Sequence, residues 1–314
     1  MKPVQQTVLV TGAAGYIGSV LCEHLLEAGL RVIALDRIEF GPSLLHLCAN
    51  TSFDFVKGDA RDDKLLTGVL KTVDVIIPLA AVVGAPACKD DPWLATSVNV
   101  DAIHTLLKLR TPEQRIIYPT TNSGYGSKSG EFYCTEETPL EPISLYGNTK
   151  AAAERAVLSA PNTITLRLAT VFGASPRMRL DLLVNHFVYV ATTDRYIVIF
   201  EKDFKRNYVH IRDVADCFTH CIRNGDAMLG RPFNVGLDDA NLSKEELAEK
   251  IKAHVPGFVI QYSEIGEDPD KRNYIVSNAR LRESGFVARR TIDDGIEELL
   301  KAYRMLGRSH LTND

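Results

Sequence analysis

The segment Thr7-Val8-Leu9-Val10-Thr11-Gly12-Ala13-Ala14-Gly15-Tyr16-Ile17-Gly18 constrains the fold of this chain more than any other. A short β-branched run feeds directly into Gly-x-x-Gly-x-x-Gly, and Val20, Leu21, Leu25 and Leu26 follow at helical spacing. A strand, a glycine turn and a helix in that order form a phosphate cradle. Gly12 allows the tight turn, Gly15 lets the backbone approach a pyrophosphate, and Gly18 lets the helix pack close to the strand. The anion then sits on free N–H groups at the helix N-terminus, where Tyr16 and Ile17 are the candidate contacts. Residues 31–36 read as a second strand ending in Asp36, whose carboxylate can accept hydrogen bonds from an adenine ribose and would repel a 2′-phosphate. NAD is therefore expected over NADP, with the neighbouring cation Arg37 working against that preference.

Short apolar runs alternate with amphipathic stretches through the first half. Strands are expected at 7–11, 31–36, 53–57, 73–78, 115–120 and 163–169, and helices at 15–28, 63–72, 93–109 and 144–159. Strands separated by helix-length crossovers predict an α/β fold with a doubly wound parallel Rossmann sheet, ligands lying at the carboxyl ends of the strands. After Gly173 the rhythm changes. Helices at 180–191, 211–223, 244–253 and 292–306 and a strand at 196–200 predict a smaller C-terminal α/β substrate lobe. The expected division is 1–173 with 206–235 for the Rossmann domain, and 174–205 with 236–314 for the lobe.

A net charge of −4 gives no basic footprint for nucleic acid. No apolar run approaches the roughly 18 residues that span a bilayer, and the first residues carry no signal-like core, so no membrane partner and a cytoplasmic protein are expected. The six cysteines are scattered without a Cys-x-x-Cys, which predicts no metal site.

Two segments carry the chemistry. In Tyr146-Gly-Asn-Thr-Lys150 the phenol and the ammonium share one helix face at i and i+4. A tyrosine is a poor base at neutral pH, and the Lys150 ammonium is expected to favour its phenolate. Tyr146 can then take a proton from a sugar hydroxyl while a hydride leaves the same carbon for nicotinamide, with Lys150 also holding the nicotinamide ribose. The second segment runs from Ile116 to Gly126, an apolar strand entering the hydroxyl-rich turn Thr120-Thr121-Asn122-Ser123. Thr121 is placed to hydrogen-bond the reacting oxygen; the plain alternative is that these hydroxyls merely cap the turn.

With these residues the chain resembles the extended short-chain dehydrogenases/reductases that act on nucleotide-diphospho-sugars. The resemblance spans essentially the whole chain and rests on residues 11–18, Asp36, Gly58-Asp59-Ala60-Arg61, Leu79-Ala80-Ala81, Thr121, Tyr146 with Lys150, and residues 206–215. It implies that Asp59 and Ala60 lie at the adenine, that Leu79, Ala80, Ala81 and Thr120 line the cofactor, and that Val171 lies beside the nicotinamide amide. It implies further that Arg206 pairs with the sugar-nucleotide pyrophosphate and that Val83 and Gly84 border the sugar. A turn cap is the alternative for Asp59, a surface charge for Arg206.

Several departures matter. Family dehydratases place an Asp-Glu pair directly after the catalytic threonine. Here Asn122 and Ser123 stand there, and neither acts as an acid or base at neutral pH, so dehydration is disfavoured. Ser123 likewise disfavours the double epimerisation of the GDP-fucose synthase type, which needs a cysteine there. Thr170 replaces a usual asparagine. Glu267-Asp268-Pro269 replaces a phosphate-binding Arg-Pro-Gly, leaving Lys271 and Arg272 as substitute cations. Residues 119–126, 175–185 and 266–278 together most resemble the GDP-D-glycero-α-D-manno-heptose 4-dehydrogenases of capsular heptose pathways. That likeness implies oxidation of a carbon-4 hydroxyl to a 4-keto sugar, a GDP-sugar substrate, and Arg177, Arg179 and Asn185 at the substrate entrance; a salt-bridge role is the alternative for the two arginines. The same residues would serve a nucleotide-sugar 4-epimerase with a transient 4-keto intermediate, and a non-catalytic NAD-binding scaffold is the third reading. A homodimer or homotetramer is expected, paired through the helices at 93–109 and 144–159, with Leu94, Val98, Ile103 and Leu106 as an apolar stripe.

Overall fold

The computed structural model describes residues 5–128, 133–264 and 272–306. The chain opens with β1 (Thr7–Thr11), α1 (Tyr16–Glu27), β2 (Arg31–Asp36), β3 (Phe53–Lys57), α2 (Asp63–Val69) and β4 (Val75–Pro78). It continues through α3 (Ala85–Asp90), α4 (Pro92–Thr96), a π-helical turn at Ser97–Asp101, α5 (Ala102–Leu109), β5 (Arg115–Thr121) and a 3-10 turn at Asn122–Tyr125. Next come β6 (Tyr133–Cys134), α6 (Leu145–Leu158), β7 (Thr163–Leu168), β8 (Thr170–Phe172), α7 (Leu183–Thr193), β9 (Tyr196–Phe200) and β10 (Lys205–His210). The last elements are α8 (Ile211–Asn224), β11 (Arg231–Val235), β12 (Asn241–Ser243), α9 (Lys244–His254), β13 (Val259–Ser263), β14 (Ile275–Val276), α10 (Ala279–Glu283) and α11 (Ile292–Met305).

Seven parallel strands in the order β11-β7-β5-β4-β1-β2-β3 form the main sheet. Its strands alternate between two buried faces, as a doubly wound sheet requires. On one face Val8, Val10, Val32 and Ala34 pack with α1 and α8 through Leu21, Leu25, Val214 and Phe218. On the other, Leu9, Ile33 and Leu35 pack with Leu66, Ile103, Ala153 and Val157 from α2, α5 and α6. This is the expected doubly wound parallel sheet of six strands, extended at one edge by a seventh, β11. The expected single helix at 93–109 is instead α4, the π-turn and α5.

A separate core joins α7, α9 and α11 through Val184, Val188, Leu247, Ile251, Ile296 and Leu299. Leu281 and Phe286, expected in that lobe, pack on the Rossmann core instead. The two bodies are pinned at His210. Its Nδ1 caps α8 by accepting from the Arg212 N–H at 3.2 Å, while its Nε2 lies 3.1 Å from Glu298 on α11. Glu298 also accepts from the Ala174 N–H at 2.7 Å. No helix among the described residues is long and apolar enough to cross a membrane.

Candidate active site

The glycine turn is built for a close neighbour. Gly12 has φ of +67°, and a Cβ there would lie 2.6 Å from the Ala80 nitrogen; one on Gly18 would lie 2.5 Å from the Gly12 carbonyl oxygen. Helix α1 starts at Gly15 without a side-chain cap, so the N–H groups of Tyr16 and Ile17 keep no intrahelical partner. That uncapped N-terminus beside a glycine turn fits a dinucleotide pyrophosphate. The Tyr16 side chain is not part of the cradle. Its hydroxyl donates to the Gly173 carbonyl at 2.7 Å, and burial pushes its pKa up.

Asp36 stands at the end of β2, beside the turn. Its carboxylate accepts from the Ala14 N–H at 2.9 Å and the Ile38 N–H at 2.7 Å, which fixes it against the turn and leaves lone pairs for a ribose. Arg37 lies 3.7 Å from both Glu39 and Asp59. Asp59 follows β3 and is engaged within the chain. Arg61 grips it through the backbone N–H at 2.9 Å, Nε at 3.0 Å and Nη2 at 2.6 Å, and that guanidinium holds the Asp59 carboxyl below the usual range. The Asp59 side chain thus caps its turn and carries an ion pair, and Ala60 lies half-buried beside it.

Leu79, Ala80 and Ala81 follow β4 as half-buried backbone beside the glycine turn, and the Ala80 N–H donates to Thr11 Oγ1 at 3.3 Å. Asn99, which the sequence reading missed, holds this segment. Its Oδ1 accepts from the Val82 N–H at 2.8 Å, and its Nδ2 donates to the Val82 carbonyl at 3.0 Å and to Thr149 Oγ1 at 3.2 Å. One buried amide thus ties the segment after β4 to α6. A lone asparagine between Val98 and Val100 was the available signal. Val83 is exposed and Gly84 begins α3 with φ of +97°.

Helix α6 starts where Ser144 Oγ accepts from the Gly147 N–H at 3.1 Å, and it carries Tyr146 and Lys150 on one face. Tyr146 is half-buried and Lys150 only 5% exposed. Burial raises the Tyr146 pKa, and the pull in the other direction comes from Arg179 and Arg272. Burial lowers the lysine's own pKa to about 7, partly offset by Glu154, and its Nζ lies 4.1 Å from the centre of the Tyr118 ring.

At the end of β5 the Thr121 hydroxyl accepts from the Ser123 N–H at 3.1 Å and donates to Ser123 Oγ at 2.9 Å, so it does cap the 3-10 turn. Thr120 is buried behind it. Arg272 donates to Ser123 Oγ, which brings that arginine from the far end of the chain to this turn. Asn122 is 1% exposed, and neither amide atom has a hydrogen-bond partner among the described residues. Val171 and Thr170 lie on β8, paired with Val209 and Tyr208 of β10, and Arg206 is buried on β10. Lys271, and residues 267–269, lie outside the described residues.

The entrance residues divide. Arg179 donates through Nε to Asp181 at 3.0 Å and still acts on the Tyr146 phenol. Arg177 is buried, stacks over the Phe40 ring at 4.6 Å and donates to the Met178 carbonyl. Asn185, expected to meet substrate, is consumed by the fold. It is fully buried, accepts from the Gly173 N–H at 3.1 Å, and donates to Tyr16 Oη at 3.2 Å and to the Arg179 carbonyl at 3.0 Å.

Comparison with known proteins matches residues 8–236 to the NAD dependent epimerase/dehydratase family. The chain is 29% identical over 94% of its length to the low-salt glycan biosynthesis protein Agl12 of Haloferax volcanii, covering 98% of that protein. It is 30% identical over 94% of its length to a UDP-glucose 4-epimerase of Mycolicibacterium smegmatis, again covering 98% of the relative. Among solved structures, UDP-glucuronic acid 4-epimerase of Bacillus cereus, in complex with UDP-glucuronic acid and NAD, superposes with a TM-score of 0.86. That match covers 96% of this chain and all of the other at 23% identity, a likeness of fold.

Proposed function

The chain belongs to the NAD-dependent epimerase/dehydratase family with NAD as its cofactor, and from that premise we propose that it oxidises the carbon-4 hydroxyl of a nucleotide-diphospho-sugar. NAD, when bound, supplies the hydride acceptor. The chain's own part is to hold the sugar and move one proton. Thr121 hydrogen-bonds the reacting oxygen and Tyr146 removes its proton as general base. Lys150 binds the nicotinamide ribose, Asp36 the adenine ribose, and Arg206 with Arg272 the diphosphate end of the substrate.

The observation that carries this reading is the convergence of Arg179 and Arg272 on the Tyr146 phenol. Burial raises the phenol's pKa, and the two guanidiniums offset part of that rise. Arg272 at Ser123 also places that cation beside the threonine turn. Asn122 and Ser123 argue against dehydration, since neither transfers a proton at neutral pH.

The first reading ends with release of the 4-keto sugar, a dehydrogenase, and the segments at 119–126 and 175–185 favour a GDP-heptose. The second returns the hydride to the other face as a 4-epimerase, and the Mycolicibacterium relative favours it. That relative and the Bacillus cereus structure also favour a UDP-sugar. A single-turnover panel of GDP-, UDP- and dTDP-sugars, followed by reduced-nicotinamide absorbance and by NMR of the sugar, separates these. Stoichiometric reduced cofactor with a released ketone supports the dehydrogenase. Conversion to the carbon-4 epimer without reduced cofactor supports the epimerase, and no change in any sugar rejects both. We further propose a homodimer or homotetramer, with residues 93–109 and 144–159 at the contact.

A further inference from the structure

We propose that Glu154 is the buried counter-charge that keeps Lys150 protonated in the cofactor cleft, and so sets the pH range over which the chain holds NAD. The proposal rests on the reading of Lys150 as a ribose-binding residue and extends it to a side chain deeper in the fold.

Tyr146, Lys150 and Glu154 follow one another at i, i+4 and i+8 on α6, so the three lie along one face of the helix. Lys150 is 5% exposed and Glu154 2% exposed, deep enough that charges act over longer distances than at a surface. Glu154 gives only half of its carboxylate to local bonds. Oε1 accepts from Arg167 Nε at 2.9 Å and Nη2 at 2.6 Å, whereas Oε2 is buried and has no hydrogen-bond partner among the described residues. Lys150 Nζ, for its part, makes no hydrogen bond or ion pair among the described residues, and its neighbour is the Tyr118 ring at 4.1 Å. An ammonium so placed loses water on entering the fold and gains a ring face, with no anion in contact among the described residues. Its charge must be sustained through space.

The charged and titratable groups around it identify what does so. On α6 they are Tyr146 and Glu154. From β5 comes Tyr118, a phenol that burial keeps neutral and whose hydroxyl has no partner. From β7 comes Arg167, which is engaged by Glu154, by Tyr125 Oη at 3.0 Å and by the Glu136 carbonyl at 3.1 Å. Cys88, which bears on Tyr146, is a thiol held neutral by burial, and Arg179 and Arg272 act on Tyr146 in the opposite sense. Glu154 is the one anion in this set. Burial takes the Lys150 pKa down to about 7, and Glu154 pulls it back up. Glu154 is thus a positioning residue that acts through Lys150 and touches neither cofactor nor substrate.

The test is NAD affinity, measured by calorimetry as a function of pH, with no sugar present. The wild type should bind NAD less tightly as pH rises through neutrality, because the free protein loses the Lys150 charge. Glu154→Gln moves that fall to lower pH. The expected result is a dissociation constant within about twofold of wild type at about pH 5.5 and about tenfold weaker at about pH 8, one pKa unit being one factor of ten. Glu154→Asp restores the carboxylate and brings the profile back. Equal weakening at both pH values, or none, overturns the proposal, since a purely structural loss carries no pH signature. If Glu154→Gln does not fold, the wild-type profile alone decides: affinity flat from about pH 5.5 to about pH 9 overturns it. Lys150→Met tests the premise separately. Its failure to weaken NAD at about pH 5.5 removes Lys150 from the cofactor cleft, whereas weakening there without a Glu154→Gln shift leaves the cleft reading intact and rejects the counter-charge.

Discussion

The Tyr146 phenol lies between opposing pulls, with burial raising its pKa and the guanidiniums of Arg179 and Arg272 lowering it. Tyr146→Phe removes the base and keeps the ring. Turnover of whichever sugar the panel identifies is expected to fall by about 10²–10⁴-fold, with NAD affinity unchanged in calorimetry. Asp36→Ala should act in two ways. It removes the ribose acceptor, so NAD weakens and its advantage over NADP narrows in paired titrations. It also strips the Ala14 and Ile38 N–H groups of their acceptor, at about 1–3 kcal/mol if they stay buried, visible as a lower thermal midpoint. Equal affinity for the two cofactors in the unmodified chain would sink the cofactor role given to Asp36. Local placement was legible at this scale: the tight turn at Gly12, Asp36 at the end of β2, and Tyr146 with Lys150 on one face of α6. Asn185 was not. Its three partners come from the turn after β8, the Arg179 loop and Tyr16, and no local pattern distinguishes an amide that closes such a junction from one that faces a sugar.

Elements were legible where periodicity was uncontested. The ranges of β1, β2 and β3 agree with those read from sequence: β1 and β2 are apolar runs closed by polar or glycine residues, and β3 alternates Phe53, Phe55 and Lys57 with Asp54 and Val56. Strand β11 escaped notice, since Arg231-Pro-Phe-Asn-Val235 is short and carries a proline; that residue is tolerated at the sheet edge, where β11 pairs only with β7. Strands β10 and β12 are polar, and their pairing depends on contacts remote in sequence. Packing between elements also has an electrostatic part. Asp216 on α8 lies 2.6 Å from His24 on α1 and 2.7 Å from Arg290 ahead of α11, and these partners hold its pKa down to about 2. A carboxyl whose folded pKa lies below its unfolded value of about 3.9 stabilises the fold above that pH and loses the contribution as pH falls. The thermal midpoint of Asp216→Asn should therefore trail wild type at neutral pH. The gap should close between about pH 4 and about pH 2, and a gap that persists at about pH 2 would assign it to packing instead of charge.

At the scale of the whole molecule the candidate active site is a seam. The Rossmann body contributes the glycine turn, Asp36, Thr121 and α6, while Arg179 and Arg272 arrive from beyond β8, held by Asp181 and Ser123. The first set was readable because a motif compresses it into short spans; the second became visible only once the chain had crossed between bodies. Assembly follows the same logic. The stripe expected at the subunit contact is divided: Ile103 and Leu106 are buried in this chain's own core, and Leu94 and Val98 are half-buried. Outside that core, Trp93 at the start of α4 is 73% exposed and Ile143, ahead of α6, 56% exposed. A pairing of subunits across α4 and α6 would cover both. Trp93 is the only tryptophan in the chain, so its emission reports the contact directly. Light scattering at micromolar concentration should give a dimer or tetramer, and the tryptophan emission should be blue-shifted there and move to the red on dilution. Trp93→Lys should shift the assembly toward monomer, because a lysine buried at a contact leaves an unpaired charge. A monomer by scattering removes the assembly. An oligomer whose tryptophan emits as if in water at every concentration places the contact on another face of the molecule.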